Sequence, residues 1–243
     1  MTRFKSIIYF ILSILLFSSC VGEGTERRRT DKSSSAFVTV DGRQFRDQYQ
    51  RELILNGINL IIKDPESGYI CGIGQDEFKK ISDWGFNVIR LGIIWDGLEP
   101  EPGVYNDSIF QCLDESIKWA RENGLYVILD MHQDLYSVRF SDGAPEWATI
   151  TDDQPHYTGA VWSDAYLVSP AVQTAFDNFW NNTPASDGVG IQDHYAQLWK
   201  YIAERYADEP AVIGYDLMNE PFIGTGARIF FPAMVEAYMG IFE

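Results

Sequence analysis

A parallel α/β sheet, with its chemistry at the carboxyl ends of the strands, is the fold class this sequence predicts. Three observations carry it. Apolar strand-like runs alternate with amphipathic helical stretches, the pattern of a parallel sheet with right-handed crossovers. The run Val212-Ile-Gly-Tyr-Asp-Leu-Met-Asn-Glu-Pro-Phe222 reads as a fully covered strand that stops on an amide and a carboxylate. Polar groups recur at one end of successive strands, where chance would scatter them over both: Lys63, Arg90, Asp130, His132, Asp134, Asn219 and Glu220.

The chain has 243 residues, 46% of them hydrophobic and 22% charged, ordinary values for a globular protein. A formal charge of −16 argues against a phosphate-binding, nucleic-acid partner and leaves a neutral substrate such as a sugar open. Residues 1–20 read as a signal: a short positive start with Arg3 and Lys5, a hydrophobic run at 7–17, then Phe17-Ser-Ser-Cys20. The run is too short to span a bilayer comfortably. Its end resembles a bacterial lipoprotein cleavage box with Cys20 as the lipidated residue, and a plain secretory signal is the alternative. Lipidation would place the protein in the cell envelope, held to a membrane by its N-terminus. Residues 21–36 carry Arg27 to Arg29 and Ser33 to Ser35 with few large apolar side chains, as a flexible tether does.

From residue 37 onward the elements follow in order. Residues 51–60 form a strand-like run leading to Lys63. Residues 76–84 read as a helix capped by Asp76 and stopped by Gly85. A strand at 86–91 and a helix at 107–123, with Ile109, Leu113, Ile117 and Ala120 on one face, come next. A third strand at 125–129 runs into Asp130-Met-His132-Gln-Asp134. The segment 131–192 breaks the rhythm. It is long, aromatic and rich in Gly, Pro and Asp, with one helix opening at Ser169-Pro170 and running to Trp180. Loops of that length usually serve function, here over the carboxyl rim. A helix at 193–206 and a strand at 211–218 complete four βα units. Pro221 biases Glu220 toward extended backbone. A full (β/α)₈ barrel takes about 250 residues, so four units and a large insertion predict the first half of such a barrel, with a helix at 230–243. That half, with unpaired edges on its outer strands, is expected to be marginally stable.

The remaining cysteines, Cys71 and Cys112, have no His or Cys at metal-ligand spacing. Two buried free thiols are the expectation, with a disulfide open if the chain is exported. No nucleophile elbow, phosphate loop or zinc pair appears. What remains is a carboxyl beside an amide, with His and Arg near. A carboxyl of raised pKa can protonate a leaving glycosidic oxygen, and the amide can hold a sugar 2-hydroxyl. Glycoside hydrolysis fits these parts. Each residue also has a plain structural use: Arg90 as an ion-pair partner, His132 as a satisfied core imidazole, Glu220 as a turn residue. Trp147 and Trp162 suit sugar faces and also plain packing.

These motifs resemble glycoside hydrolase family 5, through Asn219-Glu220-Pro221. The likeness narrows to its endoglycoceramidase-like branch through several runs. These are Asn87-Val-Ile-Arg-Leu91, Trp95 to Glu99 with Pro102 to Tyr105, Leu129 to Asp134 with Tyr136-Ser137, Gly143 to Ala148, Phe176 to Trp180 and Tyr215 to Phe222. The resemblance spans about residues 37–226 and implies a (β/α)₈ fold and a retaining mechanism. By it, Glu220 is the general acid/base and Asn219 the 2-hydroxyl contact. His132 and Asp134 hold the glucose before the scissile bond, Lys63 is a further sugar contact, and Arg90 holds the nucleophile. The implied substrates are β-linked glycosphingolipids cut between glycan and ceramide, with no metal or cofactor. Sister activities on β-glucan, glucosylceramide or steryl glucoside stay open, as does a non-catalytic glycan-binding lipoprotein. The family's nucleophile is a second Glu on a later barrel strand, and it has no counterpart here. The expectation is that residues 1–243 alone do not hydrolyse.

Overall fold

A computed structural model describes residues 37–227. The signal with Cys20, the tether and the helix expected at 230–243 lie outside the described residues. The chain divides into two compact units after Leu53. In the first, β1 (Thr39–Asp41), β2 (Gln44–Arg46) and β3 (Glu52–Leu53) form an antiparallel sheet in that order. The second unit holds the elements that position the site.

Its strands are β4 (Gly57–Leu60), β5 (Val88–Ile94), β6 (Tyr126–His132) and β7 (Val212–Asp216), parallel and in sequence order. The helices between them are α1 (Gln75–Asp83), α2 (Asp107–Glu122), α3 (Pro170–Trp180) and α4 (Ile191–Arg205). The single strand expected over 51–60 is divided instead. The Asn87 amide takes the backbone of Ile54 and Asn56 at 2.8 and 2.7 Å, which ends one run and starts the next.

Register explains the composition of the strands. Asn59, Arg90, Ile128 and Gly214 are aligned, as are Gly92, Asp130 and Asp216, then Ile94 and His132. Side chains alternate along a strand, so all of these share one face of the sheet. The opposite face carries Ile89, Leu91, Ile93, Val127, Leu129 and Met131, all buried. These pack in one core with Phe78 and Ile81 of α1, Phe110, Leu113 and Ile117 of α2, and Leu198 and Ile202 of α4. Each such side chain contributes about 1.5–3 kcal/mol of burial. An apolar strand pattern is thus interrupted by polar groups on the site face at Asn59, Arg90, Asp130, His132 and Asp216.

Helix ends agree with local chemistry where the cap is local. Asn106 accepts from Ser108 and Ile109 N–H at the start of α2, and Ser169 accepts from Val172 N–H at the start of α3, with Pro170 in its first turn. Helix α1 differs: Gly74 is its N-cap, Glu77 accepts from the Gly74 N–H at 3.2 Å, and Asp76 sits inside the first turn. Helix α4 begins two residues before the sequence pattern does. Asn182, a distant residue, accepts from Gln192 and Asp193 N–H at 2.9 and 3.2 Å.

Three expectations are corrected. Cys71 and Cys112 are joined in a disulfide, tying the turn Tyr69–Gly72 to α2; they are not free thiols. Strand β7 is shorter than 211–218 and only half-covered, with Tyr215 and Leu217 exposed, because it is an edge of the described sheet. Glu220 is not extended: its φ is +43°.

Candidate active site

The carboxyl rim of the sheet gathers its polar groups around Arg90. Nε and Nη2 of Arg90 donate to Asp216 Oδ2 at 3.1 and 2.8 Å, and Nη2 donates to Asn219 Oδ1 at 2.9 Å. Nη2 also lies 2.8 Å from Asp130 Oδ1. One guanidinium therefore faces two carboxylates that the register places side by side: it hydrogen-bonds Asp216 and pairs by charge with Asp130, whose buried Oδ1 makes no hydrogen bond.

That fork decides how the Asn219 amide points. Oδ1 accepts from Arg90, and Nδ2 donates to the Gln133 carbonyl at 3.0 Å. An amide nitrogen has two protons, so one stays available for a ligand. Its neighbour Glu220 is exposed.

His132 is oriented in the same way. Its Nδ1 lies 2.8 Å from Asp130 Oδ2, and the buried carboxylate accepts the Nδ1 proton. Nε2 lies on the other side of the ring, 3.9 Å from Asp134 Oδ2. Asp134 pairs with Lys63, whose Nζ also lies 3.3 Å from Asp142 Oδ2. Burial pulls the Lys63 ammonium down, but the hydrogen bond to Asp134 and the two carboxylate charges outweigh it and hold the pKa above its ordinary value. Burial raises the Asp142 carboxyl against the pull of Lys63. His132, Asp134 and Asp142 present ligand atoms within 4.8 Å of one another. The Lys63 ammonium already takes the position of a cation there.

The long segment closes over this rim. Residues Asp134 and Asp142 bridge, and the Leu135 N–H donates to Tyr166 Oη at 2.9 Å. Burial pushes the Tyr166 phenol up to about 12. A cavity of about 10 Å³ behind His132, lined by Trp95, Tyr136, Tyr195 and Met218, has room for one water. Trp147 donates Nε1 to the Glu99 carbonyl and packs edge-on against Trp95 and His194, which is a packing role. Trp162 is 54% exposed, its ring edge-on to Tyr166 at 6.5 Å.

All six predicted site residues within the described chain thus stand at one rim. Lys63, His132 and Asp134 form one side, and Arg90, Asn219 and Glu220 the other. Sequence reasoning assigned nothing to Asp216, Asp142 and Gln133, and gave Asp130 no role. Asp130 and His132 were two apart on a strand, a same-face signal. The partnership of Asp130 with Asp216 needed the register of β6 against β7.

Comparison with known proteins agrees with this geometry. An endoglycoceramidase of Cyanea nozakii is 32% identical over 223 residues, covering 80% of this chain and 43% of its own. An endo-glycoceramidase II from Rhodococcus sp., solved with a cellobiose-like imidazole, superposes with a TM-score of 0.66 at 38% identity. That match covers 74% of this chain and 42% of the other. The same Rhodococcus enzyme in a ganglioside GM3 complex gives 0.64 at 37% identity, over 74% and 43% of the two chains. The chain spans less than half the length of these relatives. Its parallel βα units are those of the (β/α)₈ fold. With the cellulase family matched over residues 47–238, the chain belongs to glycosyl hydrolase family 5.

Proposed function

We propose that this chain carries the acid/base half of a retaining β-glycosidase that cleaves glycosphingolipids between glycan and ceramide. The observation that carries the proposal is the Arg90–Asn219–Gln133 network, which ties the Asn219 amide and the backbone ahead of Glu220 to the residue that lies between His132 and Asp134. The endoglycoceramidases it resembles, one of them bound to a ganglioside, support the substrate class.

In this reading the ring before the scissile bond sits between His132 Nε2, the Asp134 carboxylate and the Lys63 ammonium. The free Asn219 proton donates to its 2-hydroxyl, a contact that strengthens as the anomeric carbon gains charge. Glu220 protonates the departing glycosidic oxygen, then takes a proton from the water that resolves the glycosyl intermediate. The nucleophile is a second carboxylate about 5–5.5 Å from Glu220, outside the four strands described. The preceding signal reading extends the proposal: the protein is exported and anchored through lipidated Cys20. The Cys71–Cys112 disulfide supports an oxidising compartment.

The test is hydrolysis by the full-length protein of glucosylceramide-based glycolipids against free β-glucan oligosaccharides. Glycolipid turnover that falls by about 10²–10⁴-fold in Glu220→Gln is expected, the range for loss of a general acid/base. Preference for the free oligosaccharides would replace the substrate assignment, and full activity of the variant would remove Glu220 from its role. Mass spectrometry of the mature N-terminus should find a diacylated Cys20; an unmodified cysteine would refute the anchor.

A further inference from the structure

The backbone that carries Glu220 is held in an unfavourable state. A non-glycine φ of +43° ahead of a proline is adopted only where surrounding contacts impose it. A second such stretch lies opposite, where Leu135 and Tyr136 have φ of +58° and +79°. One buried side chain touches both. Gln133 Nε2 donates to the Asn219 carbonyl at 2.6 Å and to the Glu220 carbonyl at 3.1 Å, while its Oε1 accepts from the Tyr136 N–H at 2.5 Å. Its own carbonyl accepts from Asn219 Nδ2.

We propose that Gln133 is a positioning residue for the Glu220 carboxyl: its amide cross-braces the two left-handed rim segments and so sets where the acid/base stands. The inference rests on the acid/base reading of Glu220 given above. It adds a device that the sequence does not mark, because Gln133 touches no reacting atom.

The geometry is specific to an amide of this length. Asn is one methylene too short to reach both strands. Glu keeps the acceptor arm to Tyr136 but turns the donor arm into a carboxylate facing two carbonyls. Met keeps the volume and removes both arms. Gly143 shows how closely the brace is seated. It lies at φ +119°, and a Cβ there would fall 2.5 Å from the Gln133 Cβ and 2.6 Å from the Tyr136 carbonyl oxygen. On the far side of Glu220, Trp180 Nε1 donates to the Phe222 carbonyl at 2.7 Å, and the Phe222 ring packs on Tyr166 and Phe176. Glu220 is therefore clamped from both flanks, by Gln133 before it and by Phe222 after it.

The experiment uses Gln133→Glu and Gln133→Met in the full-length protein. A displaced acid hurts only leaving groups that need protonation. The expected result is a loss of about 30-fold or more in kcat/KM on alkyl glycosides, a fraction of the 10²–10⁴-fold effect of a general acid, and under 3-fold on 2,4-dinitrophenyl glycosides. KM is expected to change little. A merely structural defect would lower both substrates equally, and that equal loss would overturn the proposal. Amide hydrogen exchange across residues 218–223 gives a readout without turnover. It should accelerate at least 10-fold in both variants, with β5 and the centre of β6 unchanged. If the parent protein hydrolyses no glycoside, the function proposed above fails and exchange alone decides this inference: faster exchange supports the brace, and unchanged exchange refutes it.

Discussion

Glu99 shows how a single buried carboxyl organises the wall behind the site. It is fully buried, accepts from Trp95 Nε1 and Gly103 N–H at 2.8 Å each, and lies 3.2 Å from His194 Nδ1. His194 in turn meets Asp187 through Nε2 at 3.0 Å. Burial raises the Glu99 pKa above its ordinary 4.5, although the indole, the amide and His194 all pull it down. The folded state therefore binds this proton more tightly than the unfolded chain. Stability from this group is complete below about 4.5 and is lost as pH rises through the raised folded value. Replacing it by Gln removes that titration. Chemical denaturation of Glu99→Gln from pH 4 to 8 should show wild-type stability declining relative to the variant as pH rises. A constant difference between the two would contradict the assignment. Asp187, lowered by the Val189 N–H and by His194, titrates in the opposite sense. Nothing in the spacing of Glu99 and His194, 95 positions apart, announces the pair.

Among elements, α3 is the one most fully written in local sequence. Ser169 caps it, Pro170 fills the first turn, and Phe176 and Phe179 face the core. Ser169 does more than cap: its Oγ also lies 2.9 Å from His156 Nδ1 and accepts from the Tyr157 N–H, fastening the long segment to the helix. Ser169→Ala should cost about 0.5–2 kcal/mol, the range for a lost N-cap, measured by denaturant titration. A change under a few tenths would mean the cap carries no load. Strands β5 and β6 were legible as elements, yet both run past the ends expected for them, to Ile94 and His132. Polar residues end a strand in a sequence reading. Here Asp130 and His132 stay in the ladder because Asp130 Oδ2 meets His132 Nδ1 and the Arg90 charge lies 2.8 Å from Oδ1, which makes no hydrogen bond of its own.

For the whole second unit, the disulfide is the longest-range local tie that composition left open. It closes a separation of 41 residues between the turn Tyr69–Gly72 and α2. In the chain-entropy account a loop of that length is stabilised by about 2–4 kcal/mol. Reduction, or the Cys71→Ala/Cys112→Ala pair, should lower the unfolding midpoint accordingly while leaving far-UV dichroism unchanged. An unchanged midpoint would show that helix packing alone holds α2. No helix among the described residues is long and apolar enough to cross a membrane.

The sequence by itself determined the parallel α/β class, the order of the βα units and the side of the sheet on which Lys63, Arg90, His132, Asp134, Asn219 and Glu220 would meet. Those follow from periodicity, helix caps and strand polarity, all of which act over a few residues. Only the tertiary structure decided that Asp130 and Asp216 share Arg90, that Asp142 joins Asp134 on Lys63, and that Glu220 has left-handed backbone. Strand register and the reach of Gln133 across 86 positions set these, and no local preference carries that information. At Glu220, one of the places where the two disagreed, hydrogen bonds from Gln133, just past the end of β6, oppose the backbone preference of a residue before proline.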